Sequence, residues 1–111
     1  MPRDYKVFLE DIQDAIVKVR GYTLNLGLKE FAKDQKTLDA VIRNLEVIGE
    51  AAKSVPEEIR SRHTQIDWRR VTAPRNILIH QYFAIDVEII WDIVQNKLPD
   101  LHREIQQMLA E

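Results

Sequence analysis
With 111 residues the chain is long enough for one domain that buries roughly two thirds of its unfolded surface, and too short for two. Hydrophobic residues make up 45 % and charged residues 31 %, which excludes a disordered chain, while the lack of cysteine excludes disulfides and thiolate metal sites. A net charge of −2 argues against a general nucleic-acid coat, and no apolar run is long enough for a bilayer, so a cytoplasmic protein away from membranes is expected.

The pattern is helical almost throughout. Tyr5, Phe8, Leu9, Ile12, Ala15, Ile16 and Val19 recur at helical spacing and predict a first helix over residues 3–20, with Gly21 as its stop. "YTLNLGLKEFAKD" reads as an irregular link with one helical turn around Leu28 to Ala32. Asp34 or Thr37 can cap a second long helix whose stripe is Leu38, Val41, Ile42, Leu45, Ile48 and Ala52. Ser54 with Glu57 reads as a capping box, with Pro56 in the first turn of a short helix to about Arg62.

Asp67 can cap the next helix, "WRRVTAPRNILIHQYF", where Pro74 removes a backbone donor and predicts a kink just before Arg75. Asp86 caps the last segment. There Val87, Ile90, Trp91, Val94, Leu98, Leu101, Ile105 and Met108 keep one face, with a bend at Pro99. The expected architecture is all-α: a single domain over residues 1–111, an antiparallel four-helix bundle with additional short helices.

Charge is uneven along the chain. From Arg60 to His80 five arginines stand against one acid, Asp67, so this segment carries +4 and the remainder −6. The bland reading is a solvated basic face, and the sharper one is a patch that attracts phosphate. Within it lies "RNILIHQYF", residues 75–83, an apolar run that also holds Arg75, Asn76, His80 and Tyr82. On an ideal helix at about 100° per residue, Arg75 and Tyr82 share a stripe, while Arg75 and His80 stand about 140° apart. One helix therefore presents the set only loosely, and a second copy across a dimer interface would close the cleft better.

These residue types suit RNA cleavage. The reaction needs a base for the 2′-hydroxyl proton, an acid for the departing 5′-oxygen, and positive charge on the phosphorane between them. Histidine can serve as base or acid near neutral pH, and arginine can grip two phosphate oxygens at once. Asn76 can donate to His80 or phosphate, and Tyr82 offers a hydroxyl and a ring for stacking. No cofactor or metal is expected, because no cluster has ligand spacing. By spacing alone the signal is weak, since an arginine four to six residues before a histidine arises by chance in roughly half of such chains.

"RNILIHQYF" is more than a spacing, however. It resembles the Arg-x4-His-x-Tyr signature of the HepT-like toxins, a branch of the HEPN superfamily of helical ribonucleases. "AVIRNLEVIGEAAKSVPEEIR" is similar to that family's second long helix, "IDWRRV" to the lead-in to its motif helix, and "FAIDVEIIWDIVQNKLPDL" to the segment that follows. The resemblance implies a HEPN-like fold and a metal-independent endoribonuclease toxin that works as a homodimer. Arg75 and His80 then match the catalytic pair, and Asn76 the polar residue beside it. Tyr82 matches the tyrosine to which the cognate antitoxin, a minimal nucleotidyltransferase, attaches AMP.

Other residues carry less. Asp39, Arg43, Glu46, Glu50 and Lys53 share a stripe of the second long helix, which reads as a solvated face laced with weak pairs. The alternative is that Glu50 points at the cleft and orients Arg75 or His80. Trp68 and Trp91 read as packing anchors, and His63 and His102 as surface residues. Two competing readings stand beside the nuclease. One is a non-catalytic helical partner that binds the nucleotidyltransferase and a nucleotide or RNA; the other is a plain dimerisation bundle.

Overall fold
The computed structural model describes residues 4–72 and 86–111, and over these it is all-α, with no strand. Helix α1 spans Tyr5–Thr23 and starts where the Asp4 carboxylate accepts from the Lys6 amide at 3.0 Å. The expected stop at Gly21 is overturned: a glycine weakens a helix interior without ending it, and the helix runs two residues further. Thr23 closes it, its Oγ1 donating to the Val19 and Arg20 carbonyls at 2.9 and 3.4 Å. The reversal falls on Asn25, whose φ of 69° is left-handed, within a turn closed by the Leu26 amide on the Thr23 carbonyl at 3.0 Å.

Short helix α2 (Leu28–Lys33) begins with the Gly27 amide bound to Glu30 Oε2 at 3.1 Å and buries Phe31 alone. Asp34 caps α3 (Gln35–Ser54), accepting from the Thr37 amide at 3.0 Å and the Thr37 hydroxyl at 2.7 Å. Those two bonds favour the ionised form and hold its carboxyl below the ordinary carboxylate value. The capping box expected at Ser54 does not form. Ser54 is the last residue of α3, and its hydroxyl donates back to the Glu50 carbonyl at 3.1 Å. Pro56 instead precedes α4 (Glu57–Arg62), with its carbonyl accepting from Ile59 and Arg60, both at 3.0 Å. Residues 68–72 form a helical turn, α5, whose Arg70 amide is held by Asp67 Oδ1 at 3.3 Å.

The Asp86 carboxylate caps α6 (Val87–Asp92) through the Glu88 and Ile89 amides at 2.9 and 3.4 Å. A wide π-turn over Ile93–Lys97 leads straight into α7 (Leu98–Leu109), with the Leu98 amide donating to the Ile93 carbonyl five residues back. Two facts account for it. Pro99 has no amide, and its ring would crowd the carbonyl four residues earlier in a regular helix. The apolar spacing also demands it, because at about 100° per residue Ile90 and Leu98, eight apart, would be turned about 80° from each other. The wider turn returns them to one stripe, and Ile90, Val94, Leu98, Ile105 and Met108 are all buried.

The core forms where these stripes meet. Leu9, Ile12, Ile16 and Val19 of α1 face Leu38, Val41, Leu45 and Ile48 of α3, and α7 packs against α1. Helix α2 lies on α3 and α6, where the Phe31 and Trp91 rings are 5.0 Å apart and tilted by 38°. Lys6 Nζ reaches the Glu111 carbonyl at 2.7 Å, so α1 begins beside the end of α7. Helices α1, α3 and the α6–α7 run supply three long members; of the fourth expected in the bundle, only residues 68–72 are described.

Candidate functional site
Of the residues singled out in the sequence, Arg75, Asn76, His80 and Tyr82 lie outside the described residues, as does Pro74 with its expected kink. Glu50 is described. It stands exposed on α3 and lines a cleft of about 390 Å³ between α1 and α3, with Phe8 and Asp11 on one wall and Arg43, Glu46 and Val47 on the other. The rest of its stripe is solvated as expected: the Arg43 side chain is 75 % exposed and meets Glu46 at 3.9 Å.

The corner between α4 and α5 is built in detail. The His63 carbonyl accepts from the Ile66 amide at 3.3 Å and from Trp68 Nε1 at 3.0 Å. An indole thus folds back over the turn, and Trp68 is the half-buried anchor expected of it. Arg60 and Arg62 lie in the last turn of α4, and Arg69 and Arg70 in the first turn of α5. Four of the five arginines in the basic segment therefore flank one corner, immediately before the "RNILIHQYF" stretch.

Two histidines depart from the surface role expected of them. His63 has a side chain only 12 % exposed, with Nε2 at 3.4 Å from Glu111 Oε2. That partner is 48 positions away, beyond the reach of local sequence patterns. His102 is half-buried, and among the described residues its Nε2 is enclosed without a hydrogen-bond partner.

Sequence reasoning also missed a groove of about 520 Å³ between α3, the α4–α5 corner and α7. Its floor is Leu45, Ile48, Ile66, Val71, Leu98 and Leu101. Ion pairs on its rim join Arg70 to Asp67 at 3.4 Å and Arg103 to Asp100 at 2.6 Å. Among the described residues no group of three or more His, Asp or Glu side chains is placed to hold a metal ion. No helix among them is long and apolar enough to cross a membrane.

An all-α domain with a capped helix after the Arg–His stretch and a basic corner before it fits the family suggested by the motif. Residues 12–108 match the family described as ribonuclease HepT-like, and the chain belongs to that family. It is 44 % identical over 112 residues to "Putative RNase MJ0127" of Methanocaldococcus jannaschii, an alignment covering all of this chain and 93 % of the relative. It is 39 % identical to "Probable ribonuclease HepT" of Thermococcus cleftensis, covering 97 % of this chain and 98 % of that one. It is 33 % identical to "Putative RNase TTE0752" of Caldanaerobacter subterraneus, covering 99 % and 96 %. No solved structure matches.

Proposed function
We propose that this protein is a metal-independent endoribonuclease, the toxin of a two-gene bacterial or archaeal system, and that it acts as a homodimer. The family match over residues 12–108, which spans the whole "RNILIHQYF" stretch, is the observation that carries this reading. Arg75 and His80 are the catalytic pair. One histidine nitrogen takes the proton of the 2′-hydroxyl, or supplies the proton that the leaving 5′-oxygen needs. The 2′-oxygen forms a bond to phosphorus as the bond to the 5′-oxygen breaks, leaving a 2′,3′-cyclic phosphate and a 5′-hydroxyl. The Arg75 guanidinium stabilises the charge of the phosphorane with two parallel donors. Asn76 and Glu50 support the pair by holding its orientation.

Tyr82 is the regulatory target in this proposal. A nucleotidyltransferase antitoxin transfers AMP to it: the phenolic oxygen gives up its proton and bonds to the α-phosphorus of ATP as pyrophosphate leaves. The AMP puts bulk and negative charge where the RNA phosphate would sit, so occlusion and repulsion act together. The test compares wild type, Arg75→Ala and His80→Ala on RNA in EDTA, with the cleaved ends sequenced. Wild type should leave cyclic phosphate ends, and each variant should cleave about 10²–10⁴-fold more slowly. Equal cleavage by all three would remove the assignment of the pair. Tight binding to the nucleotidyltransferase with no RNA cleavage would make the chain a non-catalytic partner subunit.

A further inference from the structure
The basic corner holds more positive charge than its surroundings neutralise. Residues 60–72 carry four arginines against one acid, Asp67, a balance of +3 that the Glu111 side chain, brought to His63 by the fold, reduces to +2, on a chain whose total is −2. Arg62, Arg69 and Arg70 are exposed, and the indole bond from Trp68 to the His63 carbonyl keeps the two arginine-bearing helix ends together. Elsewhere among the described residues Arg43 pairs with Glu46 and Arg103 with Asp100, while Arg20 stands singly on α1. Here, among the described residues, Arg60, Arg62 and Arg69 make no ion pair. Glu58 stands four residues before Arg62 on the same helix and still does not pair with it. Arg70 meets Asp67 at 3.4 Å with its side chain 79 % exposed, a pairing worth little in water.

Such a group would ordinarily read as a solvated face. Three things set it apart: among the described residues Arg62 and Arg69 make no ion pair and Arg70 only an exposed one, the group is held by a built corner, and it sits on a chain otherwise in acidic excess. A polyanion is repelled by most of this surface and attracted to this part of it. Guanidinium groups spaced over two helix ends can each take a phosphate of a flexible strand, without reading a base.

We propose that Arg62, Arg69 and Arg70 form a phosphate track that grips the RNA backbone independent of sequence. The proposal rests on the ribonuclease reading above and adds a binding surface outside its Arg–His pair. The track sets how tightly a long strand is held.

The experiment measures binding of a labelled oligo-uridine RNA across a salt series, using the full chain with His80→Ala so that the probe survives. Each phosphate that a protein neutralises on a single strand adds about 0.7 to the slope of log affinity against log salt. Arg62→Gln and Arg69→Gln together should therefore lower that slope by about 1.4. Affinity at moderate salt should fall roughly fivefold, the scale of two exposed ionic interactions. Arg62→Lys with Arg69→Lys should restore both, and Arg20→Gln, in the last turn of α1 while the first turn is the end that meets Glu111, should change neither. If the parent binds RNA and the double glutamine variant shows the same slope, the track is wrong and the nuclease reading stands. If the parent binds no RNA at any salt, the ribonuclease reading falls and the track with it.

Discussion
Phe31 offers the sharpest test of how the link between the two long helices is secured. It is fully buried, it is the only residue that α2 buries, and its ring lies 5.0 Å from that of Trp91. A six-residue helix has no stability of its own, so α2 stays folded because this one side chain is enclosed. Phe31→Ala removes the ring from a closed site and should cost about 3–5 kcal/mol, a large share of the ~5–15 kcal/mol expected for a domain of this size. At about 2.1 cal/mol/K per residue the unfolding entropy is about 0.23 kcal/mol/K, so a loss near 4 kcal/mol lowers Tm by about 17 °C. Phe31→Leu keeps most of the apolar volume and gives up the ring pairing, for about 1–1.5 kcal/mol and roughly 5 °C. Far-UV circular dichroism gives Tm, and urea titration followed by tryptophan emission gives the free energy. A Phe31→Ala variant within about 1 kcal/mol of wild type would refute the reasoning, because a side chain with no exposed surface cannot be removed so cheaply.

Two further outcomes follow from the caps and turns. The Asp34 carboxyl has its folded pKa lowered by the Thr37 bonds, so its contribution to stability is present above the unfolded value and is lost as pH falls through the lowered folded value. The stability gap between wild type and Asp34→Ala, measured by urea titration at successive pH values, should therefore close in acid below the ordinary value of 3.8. Asn25 holds a left-handed φ of 69°, so Asn25→Ala should lose about 1 kcal/mol and Asn25→Gly should not; thermal melts of both separate backbone strain from removal of the side chain.

The helices are legible in the sequence because burial follows a simple period. Spacing picks out Leu38, Val41, Leu45 and Ile48, and all four are buried. Asp34, Asp67 and Asp86 read as caps, and each accepts a backbone amide at the start of its helix. Sequence reasoning fails where two residues compete for one local role. Gly21 and Asn25 could each end α1, and only the position of the turn decides between them. Ser54, expected to accept an amide as a cap, instead ends α3 and donates its hydroxyl to the Glu50 carbonyl one turn back. His63 is misread as a surface residue because its partner is brought near only by the fold. Of the candidate site, Glu50 alone falls within the described residues; the motif itself is visible as a string of residue types, which spacing could not rank without the family resemblance.

The π-turn over Ile93–Lys97 means that the chain holds one spare residue at that place. A shortened protein lacking Gln95, which is exposed, and carrying Pro99→Ala could close into an unbroken α-helix with Ile90 and Ile105 still facing inward. Omitting Arg103 instead would swing everything beyond it by about 100° and carry Ile105 and Met108 out of the interior. The last third of this protein can therefore lose length at one site and nowhere near the other, a tolerance set by a single widened loop of backbone.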